Sequence, residues 1–221
     1  MNRITALLPM RAGSQRVKNK NIRIVKGKPL YIYILKSLYE SKYIDKIIIN
    51  TDIQEIISRY QNDAKIKIIN REEHLKGNCS MNMVIENTLA KDSSENYIQL
   101  HATNPLLKPG SIDMGIKTYF ENKKNYDSLF SVNKIQKRFW TKDWVPLNHN
   151  PADSPTTQDL EIIYEENSCF YIFSKKSFFS TMNRIGKNPY LLEISSLEAI
   201  DIDTEEELEI AEKLLYEMGE K

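Results

Sequence analysis

Short apolar runs rich in isoleucine alternate with helix-length segments across residues 3–132, and this alternation restricts the fold more than any other feature of the chain. Residues 3–9 read as a buried strand, and residues 30–43 as a helix entered through the turn Lys26-Gly27-Lys28-Pro29. The runs at 46–50 ("KIIIN"), 65–69 ("KIKII"), 97–101 ("YIQLH") and 128–132 continue the strand series. Helices are predicted between them over 54–60, about 80–90 and 111–121. The pattern predicts βαβ units around a parallel sheet, which binds ligands beyond the carboxyl ends of its strands. Segments 10–21, 51–52, 70–71 and 102–105 all fall at such ends.

The pattern changes after Asn133. Residues 134–166 hold three prolines, both tryptophans and little periodicity, and read as an inserted arm of turns and short strands. Regular structure is expected to resume with a strand at 169–175 and another at 191–194. A last helix follows over 204–217, opened by the capping box Thr204-x-x-Glu207.

The first strand end carries "LLPMRAGSQRVKNKN" (7–21), with Arg11, Arg16, Lys18 and Lys20 around Gly13 and Ser14. The formal net charge of the whole chain is +1, so this cationic density is local and not a field that gathers nucleic acid. Lys18 breaks the P-loop pattern, and the glycine spacing is not that of a dinucleotide fingerprint. A Gly-Ser turn after a strand can aim backbone N–H groups at an anion, with Arg11, Arg16 and Lys20 neutralising a polyphosphate.

Near the other end, Asp201-Ile202-Asp203 places two carboxylates on one side of an extended segment, where they can share Mg²⁺ with substrate phosphates. The alternative is that Asp203 only caps the last helix. Asn70, Arg71 and Ser80 follow the third strand and can meet a base edge, and His101 ends the fourth strand within ligand reach. Cys79 and Cys169 have no neighbours at metal-ligand spacing and read as reduced thiols. No signal-peptide pattern is visible and no apolar run approaches the roughly 18 residues of a membrane span. A cytoplasmic protein without a membrane or nucleic-acid partner is therefore expected.

Taken in order, "LLPMRAGSQRVKNKN", "GKPL" (27–30), "INTD" (49–52), "NREEHL" (70–75), "NPLLK" (104–108), "QDL" (158–160), "ENS" (166–168) and "EAIDIDTEEELEIAEKLL" (198–215) resemble the acylneuraminate cytidylyltransferase family, the CMP-sialic acid synthetases and their relatives acting on bacterial sugar acids. The resemblance implies a single domain over 1–221, a Rossmann-like, doubly wound, mostly parallel α/β fold of nucleotidyltransferase type, with 134–166 as a dimerisation arm in a homodimer. It implies transfer of CMP from CTP to a sugar acid with release of pyrophosphate. Arg11, Ala12, Gly13, Ser14, Arg16, Lys20 and Asn21 would then hold the triphosphate, Arg71 and Ser80 would read cytosine, and Asp201 and Asp203 would bind Mg²⁺. Arg11, Arg16, Lys20 and the two aspartates would carry catalysis, and His101, Lys134, Gln158 and Asn167 would face the acceptor. The acceptor half departs from the family pattern. His101 stands where Gln is common, Thr156 and Thr157 where an arginine often precedes "QDL", and Glu165 and Ser168 where the family has arginine and glycine. A phosphate or phosphonate acceptor, suggested by Lys134, Lys137 and Arg138, and a silent nucleotide-binding module stay open beside a sugar acid.

Overall fold

A computed structural model describes residues 3–14, 16–77 and 79–217. In chain order the elements are β1 (Ile4–Leu7), the two-strand ribbon β2 (Ile24–Val25) and β3 (Lys28–Pro29), α1 (Tyr31–Glu40), β4 (Ile44–Thr51), α2 (Gln54–Tyr60), β5 (Ile66–Asn70), α3 (Met81–Ala90) and β6 (Asn96–Leu100). There follow α4 (Pro109–Asn122), β7 (Ser128–Ile135), β8 (Ile163–Ser174), α5 (Lys175–Thr181), β9 (Pro189–Glu193) and α6 (Glu205–Glu217).

The main sheet runs β5-β4-β1-β6-β8-β7-β9. Every neighbouring pair is parallel except those made by β8, which runs antiparallel to both β6 and β7. The chain steps outward from β1 to β4 and β5, then returns to lay β6 on the other side of β1. That reversal beside β1 opens a crevice at the carboxyl ends of β1, β4 and β6, where open α/β sheets take their ligands.

Both faces of the sheet are covered, so the strands are apolar on successive residues. Ala6 and Leu8 join one core with Ile47, Ile49, Ile34, Leu38 and Ile116, while Leu7 and Ile48 join the opposite one with Ile85, Leu89 and Phe178. The period of two assigns alternate residues to alternate layers. Each of the leucines, isoleucines and Phe178 contributes about 1.5–3 kcal/mol by leaving water. A third cluster packs α6, through Leu208, Ala211 and Leu215, onto Val17, Val25, Leu30 and Ile202. The last helix thus supports the loop that follows β1. Among the described residues no helix is long and apolar enough to cross a membrane.

Two features differ from the expectation. The strand predicted at 169–175 begins at Ile163 and is antiparallel, and α5 was not anticipated. The first half of β8 ("IYEENS") is polar and largely exposed, so it carries no apolar run to announce a strand. Its pairing with β7 is interrupted where Val132 faces Glu166 but Phe130 faces Tyr171. Ser131 Oγ closes this bulge, donating to Asn167 Oδ1 at 2.6 Å and accepting from Phe170 N at 3.1 Å. Ser168 within it has φ 59°, a left-handed conformation that glycine adopts more readily.

Asp92 ties the opposite end of the sheet. Its buried carboxylate accepts from Lys46 Nζ at 2.7 Å, Ser94 N at 3.0 Å and Tyr97 Oη at 3.2 Å, and Lys67 Nζ lies 3.3 Å away, so it links β4, β5 and β6. Burial alone would raise its pKa, but the bonds from Lys46 and Ser94 outweigh that and hold it far below the ordinary carboxylate value. A depressed folded pKa contributes stability above the unfolded pKa of 3.8 that is lost as pH falls through and below it. Asp92→Asn is therefore expected to lower stability by roughly 1–3 kcal/mol at pH 7, with the deficit shrinking toward pH 3. Thermal midpoints of the two proteins across this range test it, and equal midpoints at pH 7 would contradict it.

Candidate active site

The segment after β1 is pinned to the neighbouring strand ends before it turns. Met10 N donates to Asn50 O at 3.0 Å, and Ala12 N donates to the Asp52 carboxylate at 2.7 Å. Gly13 takes φ 73°, with open space where a Cβ would lie, so the backbone conformation, not a close neighbour, is what favours glycine there. Val17 is fully buried between the flanking cations, and Asn21 Nδ2 returns to Arg11 O at 2.9 Å. The loop is held by its backbone and by two inward side chains, which leaves Arg11, Ser14, Arg16 and Lys20 lining a cavity of about 490 Å³. That volume lies within the range of small-ligand sites, roughly 300–1,000 Å³.

One wall is built by β4, β5 and α3. Arg71, 7 % exposed, donates from Nε to Asn50 Oδ1 at 3.1 Å and from Nη2 to Asn50 O at 3.0 Å. Asn50 is itself fixed by Thr88 Oγ1 at 3.0 Å. Burial lowers the Arg71 pKa, yet a guanidinium keeps its charge in proteins. Pro9, Gly77, Cys79, Met81 and Val84 complete this wall, and Arg11 Nη1 donates to Gly77 O across it. Ser80 is exposed and does not line the cavity; its hydroxyl caps α3 by accepting from Asn82 N at 3.3 Å. Cys79 and Met81 take the lining positions on either side of it.

The opposite wall carries the aspartates. Ile202 N donates to Thr103 O at 2.9 Å, which lays residues 201–203 along the end of β6. Asp201 and Asp203 both line the cavity. Asp201 Oδ1 is buried without a hydrogen-bond partner, and burial, reinforced by Asp203, raises its pKa above the usual range. Asp203 behaves oppositely. Burial would raise its pKa too, but Lys20 and Arg16 overcome it and lower it. Lys20 Nζ and Arg16 Nη2 each lie 2.8 Å from a different oxygen of that carboxylate. The hydroxyl that caps α6 is Thr204, which accepts from Glu207 N at 3.2 Å while Glu207 Oε2 accepts from Thr204 N at 2.8 Å. Asp203 is thus left to the cavity.

Two adjacent carboxylates, one with an orphaned buried oxygen, are a fitting start to a Mg²⁺ site, since that ion takes one or two carboxylates and completes its shell from phosphates and water. Among the described residues no group of three or more His, Cys, Asp or Glu forms an all-protein cage.

The acceptor-side residues separate. His101 lines the cavity beside Thr103. Its Nε2 lies 3.0 Å from Gln99 Nε2 and 3.4 Å from Arg184 Nη1. Burial, then the charges of Arg184 and Lys20, push its pKa down to about 3, so the ring is a poor general base at neutral pH. Asn167 is buried at the β8 bulge and lines a second cavity of about 440 Å³ with Glu165, Glu166, Ser196 and Glu207; Asp201 is shared by both cavities. Lys134 is exposed on β7 opposite Tyr164, and Gln158 sits in a short 3-10 turn (Thr157–Asp159) whose carbonyl accepts from Gln136. Neither lines either of these two cavities. Sequence reasoning passed over Asn50, Gln99 and Arg184. A buried Gln in the apolar run "YIQLH" was a usable signal, whereas Arg184 lies in a stretch with no motif around it.

Comparison with known proteins agrees with this geometry. A family model described as cytidylyltransferase matches residues 5–221. The chain is 29 % identical over 232 residues to a CMP-N,N'-diacetyllegionaminic acid synthase of Legionella pneumophila, covering 96 % of both. It is 26 % identical to a pseudaminic acid cytidylyltransferase of Campylobacter jejuni, again over 96 % of both. It is also 26 % identical to N-acylneuraminate cytidylyltransferase A of Danio rerio, over 98 % of this chain but only 51 % of that protein, so it spans about half the length of this relative. Among solved structures, a CMP:2-keto-3-deoxy-manno-octonic acid synthetase complexed with CTP superposes with a TM-score of 0.72 at 14 % identity, covering 98 % of this chain and 99 % of the other. A 4-diphosphocytidyl-2C-methyl-D-erythritol synthase from Anaerococcus prevotii gives 0.71 at 15 % identity, covering 98 % and 100 %; at such identities these two matches speak to the fold alone. Because that family model covers nearly the whole chain, the chain belongs to the cytidylyltransferase family.

Proposed function

We propose that the cavity binds CTP with the base toward Arg71 and the triphosphate along Arg11, Ser14, Arg16 and Lys20, and that the acceptor approaches past His101, Thr103 and Asp201. The reaction is CTP-dependent nucleotidyl transfer, in which CMP passes to an acidic, nonulosonic-acid-like sugar and pyrophosphate leaves. The observation that supports this arrangement best is the meeting, in one cavity, of a cationic Gly-Ser loop and a carboxylate with an orphaned oxygen.

The chain's own residues act by positioning and charge. An acceptor oxygen attacks the α-phosphorus in line, while Arg16 and Lys20 stabilise the charge that gathers on the departing pyrophosphate. To do so both cations must turn from Asp203 to phosphate oxygens. For Arg16 that exchange is cheap, because exposed ion pairs are worth about 0–1 kcal/mol. Asp201 and Asp203 would hold Mg²⁺, which when bound neutralises phosphate charge and lowers the pKa of an oxygen it contacts.

An acidic sugar fits better than a phosphate or phosphonate. The cations that would suit such an acceptor, Lys134, Lys137 and Arg138, are exposed on the arm or at its root, and Arg138 donates to Pro155 O within the arm. The second cavity is acidic, with Glu165, Glu166 and Glu207 around Asp201, and Glu165 opposes a carboxylate where an arginine would attract one. A sugar acid whose carboxylate is held away from Glu165, and so is recognised differently from N-acetylneuraminate, is the acceptor we expect. The same reading puts the enzyme in the cytoplasm, in keeping with two cysteines that are unpaired.

A pyrophosphate-release screen tests the function. CTP with Mg²⁺ and a panel of nonulosonic and octulosonic acids is expected to turn over, with CTP preferred to UTP, ATP and GTP. Turnover only of a sugar phosphate or phosphonate, or equal use of UTP, would refute the assignment. Assembly follows from the arm, where Trp144 is 85 % exposed, Leu147 62 %, Val145 56 % and Trp140 51 %. Apolar load of that kind marks an interface, and we expect a homodimer through residues 134–166. Light scattering at micromolar concentration should give twice the chain mass; a monomer would contradict the dimer.

A further inference from the structure

Arg184, Gln99 and His101 form a hydrogen-bonded chain whose donor and acceptor roles are fixed by their chemistry. A guanidinium only donates, so Gln99 Oε1, 2.7 Å from Arg184 Nη1, accepts. The Gln99 amide is thereby oriented with Nε2 as donor, and it donates to Leu100 O at 3.0 Å. The same Nε2 lies 3.0 Å from His101 Nε2, which Arg184 Nη1 also approaches at 3.4 Å. Two donors converge on one ring nitrogen, so that nitrogen accepts and the ring proton resides on Nδ1. No residue among those described accepts from Nδ1, and the ring lines the nucleotide cavity.

Arg184 is well placed to impose this order. Its guanidinium carbon sits 3.6 Å from the centre of the Tyr171 ring, Nη2 is 3.9 Å from Glu166 Oε1, and the side chain is 18 % exposed. Gln99 on β6 is flanked in register by Leu7 of β1 and Tyr171 of β8, which fixes its backbone.

We propose that Arg184 is a positioning residue for acceptor recognition: acting through Gln99, it locks His101 as the Nδ1–H tautomer, so that the cavity presents a fixed N–H donor to a carboxylate or carbonyl oxygen of the sugar. This rests on the acidic-sugar reading above. It makes His101 a specificity element that rewards an acceptor oxygen and gives nothing to a hydroxyl already committed as donor.

Long-range proton–nitrogen spectra of the ¹⁵N-labelled chain read the tautomer directly. The chain has three histidines, His74, His101 and His149, and a His101→Asn sample identifies the signal of interest. A pyrrole-type Nδ1 and a pyridine-type Nε2 are expected for His101. Arg184→Met frees the Gln99 amide to turn, so a mixture of tautomers should appear, with acceptor KM raised roughly 10- to 100-fold and CTP KM unchanged. Arg184→Lys, which keeps a donor-only group, should restore the single tautomer. A pyridine-type Nδ1 in the wild type, or Arg184→Met with an unaltered spectrum, would overturn the proposal. If Arg184→Met does not fold, the wild-type spectrum still decides the tautomer. Silence with every acidic sugar would remove the catalytic reading instead, and the spectrum would separate that failure from this one.

Discussion

The site depends on the Asp203 carboxylate held between Lys20 and Arg16. This contact joins the loop after the first strand to the segment before the last helix, residues 183 positions apart in the case of Lys20. Lys20 Nζ also donates to Ile202 O, so one side chain ties the loop to both the carboxylate and the backbone of the aspartate segment. Beneath it, Val17 and Ile202 pack into the same apolar cluster as α6. The apolar contact sets where the two segments meet, and the ion pair sets how their charges face the cavity. The Arg16 half of this contact is exposed and adds little to stability. Its use is to keep three charged groups close together and easily exchanged.

The two aspartates divide their work through environment. Asp201 is desolvated, carries an oxygen without a partner and has a raised pKa; Asp203 is paired with cations and has a lowered one. A divalent cation would relieve the first and replace the partners of the second. Phosphate oxygens would in turn take over Arg16 and Lys20. On the proposed reading, nucleotide and metal would reinforce one another, each accepting what the other's arrival releases.

Much of this was legible in the sequence because it follows from local rules. The isoleucine runs at 46–50 and 65–69, their spacing by helices, and the Thr204–Glu207 box depend on neighbours along the chain, and they gave the parallel half of the sheet and the last helix correctly. The cationic loop and the paired aspartates were visible as residue types at strand ends. What escaped depends on partners distant in sequence. The polar half of β8 is a strand only because β7 pairs with it. Arg184 reaches the site from a loop after α5 through Gln99 and Tyr171, and nothing within its own stretch announces that contact. Lys134 and Gln158 show the converse. Motif position suggested the site, yet a single chain leaves Lys134 near the end of β7 and Gln158 on the arm.

The central claim is that Asp203 guards the phosphate cations in the free enzyme and turns to metal when CTP arrives. Titration calorimetry of CTP binding to the wild type and to Asp203→Asn, with and without Mg²⁺, tests it most directly. Without metal, the variant should bind CTP at least as tightly as the wild type, because Arg16 and Lys20 no longer face a competing carboxylate. With Mg²⁺, the wild type should gain affinity and the variant should gain much less. Weaker metal-free binding by Asp203→Asn, or an equal gain from Mg²⁺ in both proteins, would contradict the account.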